Sequence, residues 1–521
     1  MLTTDRKEEP VAPERLQEFN TIVKDSSKVD VLFGYCYPST YRAGMTGLAL
    51  HILYRILNSR SDTSCERYFR YDTVSPTLSV ESKRPLKENH VLGFSLTYEE
   101  DIINVVQMLD FGGVPVLAQE RTENDPLVVV GGPVVTANPE PFVDFIDSFV
   151  IGEGDLVINE LVNAVAAGPS RGEVLARFSE IPGVYVPTFP KTSVKRNIIH
   201  DLDSLDYPLS QIVPDVAEGS QFEPVFGKSF LLEVTRGCGH SCRFCLIGHV
   251  CQPRRTRSLS KLKELVQIGV DNTPVDKVSM IGSSLGDLDG LEELVCWTGD
   301  QSLGVSVPSL RADSVTEPLL DCLVKSGQRT LTIAPETGST DLRRRIGKGL
   351  SDTDIESAVE MATRCGYNSL KLYFIIGLPG ETDDDITATV DMIVKLANTS
   401  GMKVTASVNP FIPKAQTRWE REPQPPIEEI RRRLKIVERG VKKDSKVIVE
   451  SLDPRHARIQ AALSIGDRSL GRVIRTASRY GGYGGWRRAE KETGISFLNL
   501  ASDAEKLQED LPWSYLRDSK S

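Results

Sequence analysis

No apolar run in this 521-residue chain approaches the ~18 residues that a membrane span needs. The opening residues, Met1-Leu2-Thr3-Thr4-Asp5-Arg6-Lys7-Glu8-Glu9, have no apolar core, so no secretory signal is read there and a cytoplasmic location is expected. An excess of basic charge is also missing. Lys and Arg number 62 against 72 Asp and Glu, and the net charge of −10 argues against a protein that coats nucleic acid. Basic runs are local, at Arg254-Arg255-Thr256-Arg257, Arg343-Arg344-Arg345 and Arg431-Arg432-Arg433. The last two read as solvated helix faces, or else as a site for an anionic substrate. The 9 cysteines form no even, spaced disulfide framework. Six of them (Cys36, Cys65, Cys251, Cys296, Cys322, Cys365) are scattered and read mostly as small buried apolar residues. What is present is ordinary for a soluble globular protein: 40% apolar and 26% charged residues, in a length that suggests about three domains.

The other three cysteines crowd into Thr235-Arg236-Gly237-Cys238-Gly239-His240-Ser241-Cys242-Arg243-Phe244-Cys245, directly after the apolar strand candidate Phe230-Leu231-Leu232-Glu233-Val234. Gly237 and Gly239 let this loop curl until the sulfurs converge. Thiolates are soft ligands that select an iron–sulfur cluster or zinc. A zinc site would need His249 or Cys251 as a further ligand. A cubane cluster held by only three cysteines keeps one iron free for a small molecule.

The Cys-x3-Cys-x2-Cys loop resembles the cluster loop of the radical S-adenosylmethionine superfamily. The resemblance implies a 4Fe-4S cluster on Cys238, Cys242 and Cys245, with Phe244 near the adenine of S-adenosylmethionine. It implies reductive cleavage of the sulfonium to a 5′-deoxyadenosyl radical, with an electron donor such as ferredoxin or flavodoxin.

Ahead of that loop, apolar strands alternate with amphipathic helices. Strands are expected at 29–35, 90–95, 126–130 and 148–151, and helices at 45–57, 98–111 and 155–167. This pattern indicates a parallel sheet covered on both faces, with ligands at the carboxyl ends of its strands. His51 lies opposite the apolar face of the first helix and is expected to be exposed. Two strand ends are glycine-rich, Gly131-Gly132-Pro133 and Gly152-Glu153-Gly154-Asp155; such turns favour either a close ligand or simply a tight bend. With Asn138-Pro139-Glu140-Pro141-Phe142 between them, they resemble the cobalamin-binding-type domain that often precedes radical S-adenosylmethionine domains. No Asp-x-His-x-x-Gly occurs, so the resemblance implies cobalamin without a histidine on cobalt, or none at all.

Past Phe230 the alternation resumes, with strands expected at 277–281, 304–306, 329–334, 370–375 and 403–408. Six strand–helix units fit a partial (β/α)6 barrel, whose active site lies on the loops at the carboxyl ends. Those loops hold Gly282-Ser283-Ser284, where the superfamily often has a carboxylate, then Arg311, which could meet a carboxylate or form an ion pair. Next come Glu336 and Gly338 in Pro335-Glu336-Thr337-Gly338, where Glu336 could bond a ribose hydroxyl or the amino group, or cap a helix. Gly377-Leu378-Pro379-Gly380-Glu381-Thr382 follows and resembles the family's adenine-side loop, so Gly377 and Pro379 are expected at the cofactor; Asn409-Pro410-Phe411-Ile412-Pro413-Lys414 is the last. With these motifs in barrel order, zinc is set aside.

The expected architecture is α/β: an arm at 1–28 with one helix, a Rossmann-like doubly wound domain at 29–170, and a connector at 171–228. A partial radical S-adenosylmethionine barrel at 229–415 and a small α+β capping domain at 416–521 complete it. Within the last, Tyr480-Gly481-Gly482-Tyr483-Gly484-Gly485-Trp486 reads as a loop. The leading function is a radical enzyme, with methylation of an unactivated carbon if cobalamin is bound. A tRNA methylthiotransferase-like enzyme and a non-enzymatic cobalamin or redox sensor are the alternatives. The substrate and the catalytic acid or base are not legible.

Overall fold

A computed structural model describes residues 16–70, 77–189 and 191–516. The molecule is α/β, built on two parallel sheets. The N-terminal sheet contains β1 (Val31–Tyr37), β2 (Thr63–Phe69), β3 (Val91–Ser95), β4 (Leu127–Gly131), β5 (Ser148–Val150) and β6 (Val184–Tyr185), in the order β2-β1-β3-β4-β5-β6. All pairings are parallel except that of β6. Helices α1 (Leu48–Ser59), α2 (Ile102–Phe111), α3 (Ile158–Ala167) and α4 (Arg171–Glu180) follow β1, β3 and β5. The first five strands thus have the 2-1-3-4-5 order of flavodoxin-like folds, whose ligand crevice lies at the carboxyl ends of the first and third strands.

Strand β2 is absent from the pattern-based expectation because its sequence, Thr-Ser-Cys-Glu-Arg-Tyr-Phe, is not a continuous apolar run. Every residue of it is nevertheless buried. Its charges are matched inside the protein: Arg67 pairs with Glu18 at 2.5 Å and Glu81 at 2.6 Å, and Glu66 pairs with Arg84 at 2.7 Å. Buried ions persist when each has a partner. Residues 1–15 of the expected arm lie outside the described residues. Of the remainder, Glu18–Phe19 forms a short strand on Val213–Pro214 and Ser26–Lys28 a single 3-10 turn. The expectation for His51 is corrected: it is 4% exposed, with Nε2 3.1 Å from the Met45 carbonyl.

The second sheet curls into a partial barrel. Strands β7 (Phe230–Glu233), β8 (Lys277–Ile281) and β9 (Gly304–Ser306) pair in parallel, as do β10 (Thr330–Glu336), β11 (Ser369–Ile376), β12 (Lys403–Pro410) and β13 (Val447–Glu450). A parallel bridge from Leu310 to Ile333 joins the two runs. Between strands lie α5 (Leu259–Asn272), α6 (Leu291–Asp300), α7 (Glu317–Lys325), α8 (Asp352–Arg364), α9 (Asp383–Ser400) and α10 (Ile427–Val441). Local sequence sets their ends. Ser351 with Asp354 and Thr382 with Asp385 form capping boxes on α8 and α9, and Gly401, at φ 69°, closes α9. Cys296 and Cys322, expected as separate buried thiols, are joined in a disulfide between α6 and α7.

The tail divides its allegiance. Strand β13 extends the barrel sheet, while α11 (Pro454–Ile465), α12 (Leu470–Ser478) and α13 (Gly482–Thr493) share an apolar core with the N-terminal domain. Ile459, Val473 and Trp486 join Val105 and Met108 of α2 in that core. The expected aromatic loop at 480–486 is largely the first turn of α13, and Trp486 is 3% exposed and stacks on Phe497 at 5.0 Å. A helix that starts on glycines carries no propensity signal; tertiary packing of Trp486 supplies the stability instead.

Candidate active site

The three crowded thiols sit on a loop at the carboxyl end of β7, closed by a two-residue antiparallel pairing of Thr235–Arg236 with Arg255–Thr256. Gly237, at φ 73°, is needed there, because a Cβ would meet the Cys251 carbonyl at 2.1 Å. Cys242 is 8% exposed, Cys238 and Cys245 are half-buried, and all are free thiols. Burial pushes Cys242 up to about 11, against the pull of Lys348, and raises Cys245 as well. Each of these two sulfurs also feels the charge of Cys238, so the three lie within electrostatic reach of one another. They are not drawn onto a single point: among the described residues no three His, Cys, Asp or Glu side chains are grouped as one metal ion would require. His249, a ligand in the zinc alternative, turns Nδ1 to the Cys245 carbonyl at 2.7 Å.

Around the thiols stand the loops of the following strands. Thr235 donates to the Ser283 carbonyl at 3.0 Å, and Gly282 has no room for a Cβ, which would lie 2.6 Å from Thr235 Oγ1. Ser284 is left-handed, at φ 56°. Arg311 forms the ion pair anticipated as its plain role, 2.7 Å from Asp313, and also donates to the Lys348 carbonyl. Glu336 is 9% exposed and is itself left-handed, at φ 69°. A non-glycine residue held there is strained, and such strain gathers at functional sites. Its Oε1 accepts from Lys348 Nζ at 2.9 Å. Lys348 went unmarked in the sequence; the available signal was its setting between Gly347 and Gly349, both at positive φ. Burial opposes the charge on Lys348, but Glu336 more than restores it, and its pKa is raised.

Other expected residues have structural partners. A Cβ on Gly338 would lie 2.2 Å from the Ala388 carbonyl, so this glycine lets α9 approach. Gly377, at φ 78°, donates its amide to Glu381 at 2.6 Å, and Glu381, pushed up to about 7 by burial, pairs with Arg433. Pro379 lies in the same turn. Phe244 packs against Leu342, Leu378, Phe411 and Trp419.

The carboxyl ends of the two sheets meet. Glu99, after β3, pairs with Lys414, after β12, at 2.5 Å, and Glu100 pairs with His456 of α11. Gln416 donates to the carbonyls of Thr136 and Ala137. Glu153 bonds Arg255 and lies 3.6 Å from Arg236, while Asp155 bonds Arg236, so the 152–155 turn is fastened to the thiol loop. Close approach at the glycine turns is by the chain itself. A Cβ on Gly132 would meet the Leu96 carbonyl at 2.5 Å, and one on Gly152 the Asn197 carbonyl at 2.3 Å. Gly131 and Gly154 are less crowded, and Pro133 opens a short helix at 133–137.

The model of the Radical SAM superfamily matches residues 232–393, and that of radical SAM proteins, N-terminal, matches residues 49–187. An uncharacterized protein of Methanocaldococcus jannaschii is 33% identical over 446 residues, covering 84% of this chain and 89% of that protein. The chain belongs to the radical SAM superfamily. A Pyrococcus horikoshii protein named as an uncharacterized methyltransferase is 27% identical over 57% of this chain and 65% of its own. Among solved structures, the radical S-adenosylmethionine methyltransferase TsrM of Kitasatospora setae, with cobalamin and a [4Fe-4S] cluster bound, aligns with a TM-score of 0.53. It shares 14% identity, over 89% of this chain and 98% of that one, and so shows the fold. In this radical SAM chain the superfamily match runs from β7 through β11 and into α9, with the thiol loop after its first strand.

Proposed function

We propose that the chain is a radical SAM enzyme whose Cys238, Cys242 and Cys245 hold a [4Fe–4S] cluster, and that it transfers a methyl group to carbon with a corrinoid held by the N-terminal domain. The observation that carries this reading is the set of three free thiols on one loop at the carboxyl end of β7. Three soft sulfur donors in a Cys-x3-Cys-x2-Cys loop suit an iron–sulfur core. When bound, the cluster and S-adenosylmethionine supply one-electron cleavage of a sulfonium.

The chain's own residues would orient and protect. Phe244, with the 377–380 turn beside it, would cover the adenine. Gly282, Ser283, Ser284, Glu336 and Gly338 would line the amino-acid and ribose side, with backbone and hydroxyl groups in place of a carboxylate after β8. Lys348 and Arg311 would meet a carboxylate. For the corrinoid, the flavodoxin-like strand order favours a site at the carboxyl ends of β1 and β3. The loop after β1, Pro38-Ser39-Thr40, offers no histidine, so cobalt would take no ligand from it. The 131–133 and 152–154 turns would stand at the edge of that site.

The methylthiotransferase alternative needs a second cluster. Ahead of the barrel there are only Cys36 and Cys65, both buried within neighbouring strands. Anaerobic reconstitution tests the choice. About four irons per chain, turnover of S-adenosylmethionine, and a corrinoid absorbance after loading with hydroxocobalamin are expected; about eight irons would indicate two clusters and sink the proposal.

A further inference from the structure

A groove of about 580 Å³ opens between α2 of the N-terminal domain and the corner joining α12 to α13. Its size lies within the ~300–1,000 Å³ range of small-molecule sites. Three arginines line it, Arg70, Arg475 and Arg479, against one carboxylate, Asp110. Gln107 ties the walls together: its carbonyl accepts from Arg70 at 2.9 Å and its amide donates to the Ser478 carbonyl at 2.9 Å. Arg70 is thus held in place, yet among the described residues it has no ion-pair partner. Burial lowers its pKa, with Asp101 opposing. Arg479 is exposed and forms no ion pair among the described residues, with Glu492 near enough to feel its charge, and Arg475 has only Glu120 at 3.6 Å. A half-buried guanidinium without an anion is a cost that a bound anion removes.

The groove also offers aromatic surface. Tyr480 is 42% exposed, with the Arg488 guanidinium 3.9 Å from its ring centre, and Phe111 is 38% exposed. The surrounding segment, 468–491, holds seven basic residues and one acidic residue in a chain of net charge −10. The charge of the whole chain conceals this local excess.

We propose that the groove binds a nucleoside di- or triphosphate, with phosphates on Arg70, Arg475 and Arg479 and the base against Tyr480. Guanidinium forks match phosphate oxygens in pairs, and a ring face accepts a planar base. None of these residues belongs to the thiol site, so the groove is independent of the radical chemistry.

Calorimetric titration of the full-length protein tests it, with ADP, inorganic pyrophosphate and adenosine as probes. ADP should saturate at one per chain, pyrophosphate should bind more weakly, and adenosine should give no signal at the same concentrations. Arg479→Ala and Arg475→Ala should each weaken ADP about tenfold. Arg479 is exposed and forms no ion pair among the described residues, so its variant should melt as the parent does. Binding should survive Cys238→Ala, which separates this groove from an adenine site in the barrel. A single-stranded oligoribonucleotide and anionic phospholipid vesicles are run alongside. ADP binding that ignores both arginine variants, no ADP binding at millimolar concentration, or binding of the oligonucleotide or vesicles alone would each overturn the proposal.

Discussion

The carboxyl ends of the two sheets differ in what fills them. In the N-terminal domain, Gly132 and Gly152 are approached by the chain's own carbonyls, and Glu99, Glu100, Glu153 and Asp155 are all taken up in ion pairs. In the barrel, three thiols remain free, and beside them a strained Glu336 is paired with a half-buried Lys348. A glycine turn at a strand end is satisfied by internal packing alone; three soft donors on one loop are not. The N-terminal glycines are therefore accounted for by close packing of the chain on itself, whereas the barrel loop's three thiols stay outside any disulfide.

That contrast can be broken most severely at the thiols. Cys238→Ala, Cys242→Ala or Cys245→Ala should each abolish the cluster, read as loss of bound iron and of the brown absorbance after reconstitution, with folding intact. Retention of about four irons in any of them would remove the assignment. The next effect is at Lys348. The ammonium and Glu336 are 12% and 11% exposed, so removing one partner leaves a buried charge. Lys348→Met should cost about 3–5 kcal/mol, seen as a lower urea midpoint, and Lys348→Met with Glu336→Gln should recover most of it. A double variant as unstable as the single one would show that the pair is not coupled. Gly152→Ala should cost about 2–4 kcal/mol, since φ is 98° and the Asn197 carbonyl blocks the new methyl. Gly131→Ala, whose Cβ would find its nearest neighbour at 3.8 Å, should stay within about 0.5 kcal/mol. Equal melting shifts would erase the distinction between a close-packed turn and an open one.

Most of the architecture was legible because strands buried on both faces tend to be apolar runs, as Leu127–Gly131 is. Strand β2 was not, since Glu66 and Arg67 look exposed until Glu18, Glu81 and Arg84 are brought around them by folding. His51 misled for a related reason: a helix face that looks polar is covered here by other elements. The thiols announced themselves by spacing. Lys348 did not, because a single lysine between glycines acquires meaning only when Glu336 and Cys242 arrive from elsewhere in the chain. The tail shows the same limit, with β13 completing one sheet and α11 to α13 covering the other domain.

The smallest effect lies where the tail pins the N-terminal sheet. His456 Nδ1 is 2.8 Å from Glu100, and this hydrogen bond raises the imidazole's pKa against partial burial, with Asp453 adding to the rise and Arg455 opposing it. A histidine whose folded pKa exceeds its unfolded value contributes stability that is full below the unfolded pKa, near 6.5, and fades as pH climbs through the folded one. The side chain is 38% exposed, so solvent screens the pair and its worth is at most about 1 kcal/mol. Glu100→Gln should therefore lower the melting temperature slightly at pH 6 and have almost no effect at pH 9. A deficit that grows with pH would mean that Glu100 answers to a different partner, and that the N-terminal strand ends are less thoroughly tied by the tail than their contacts indicate.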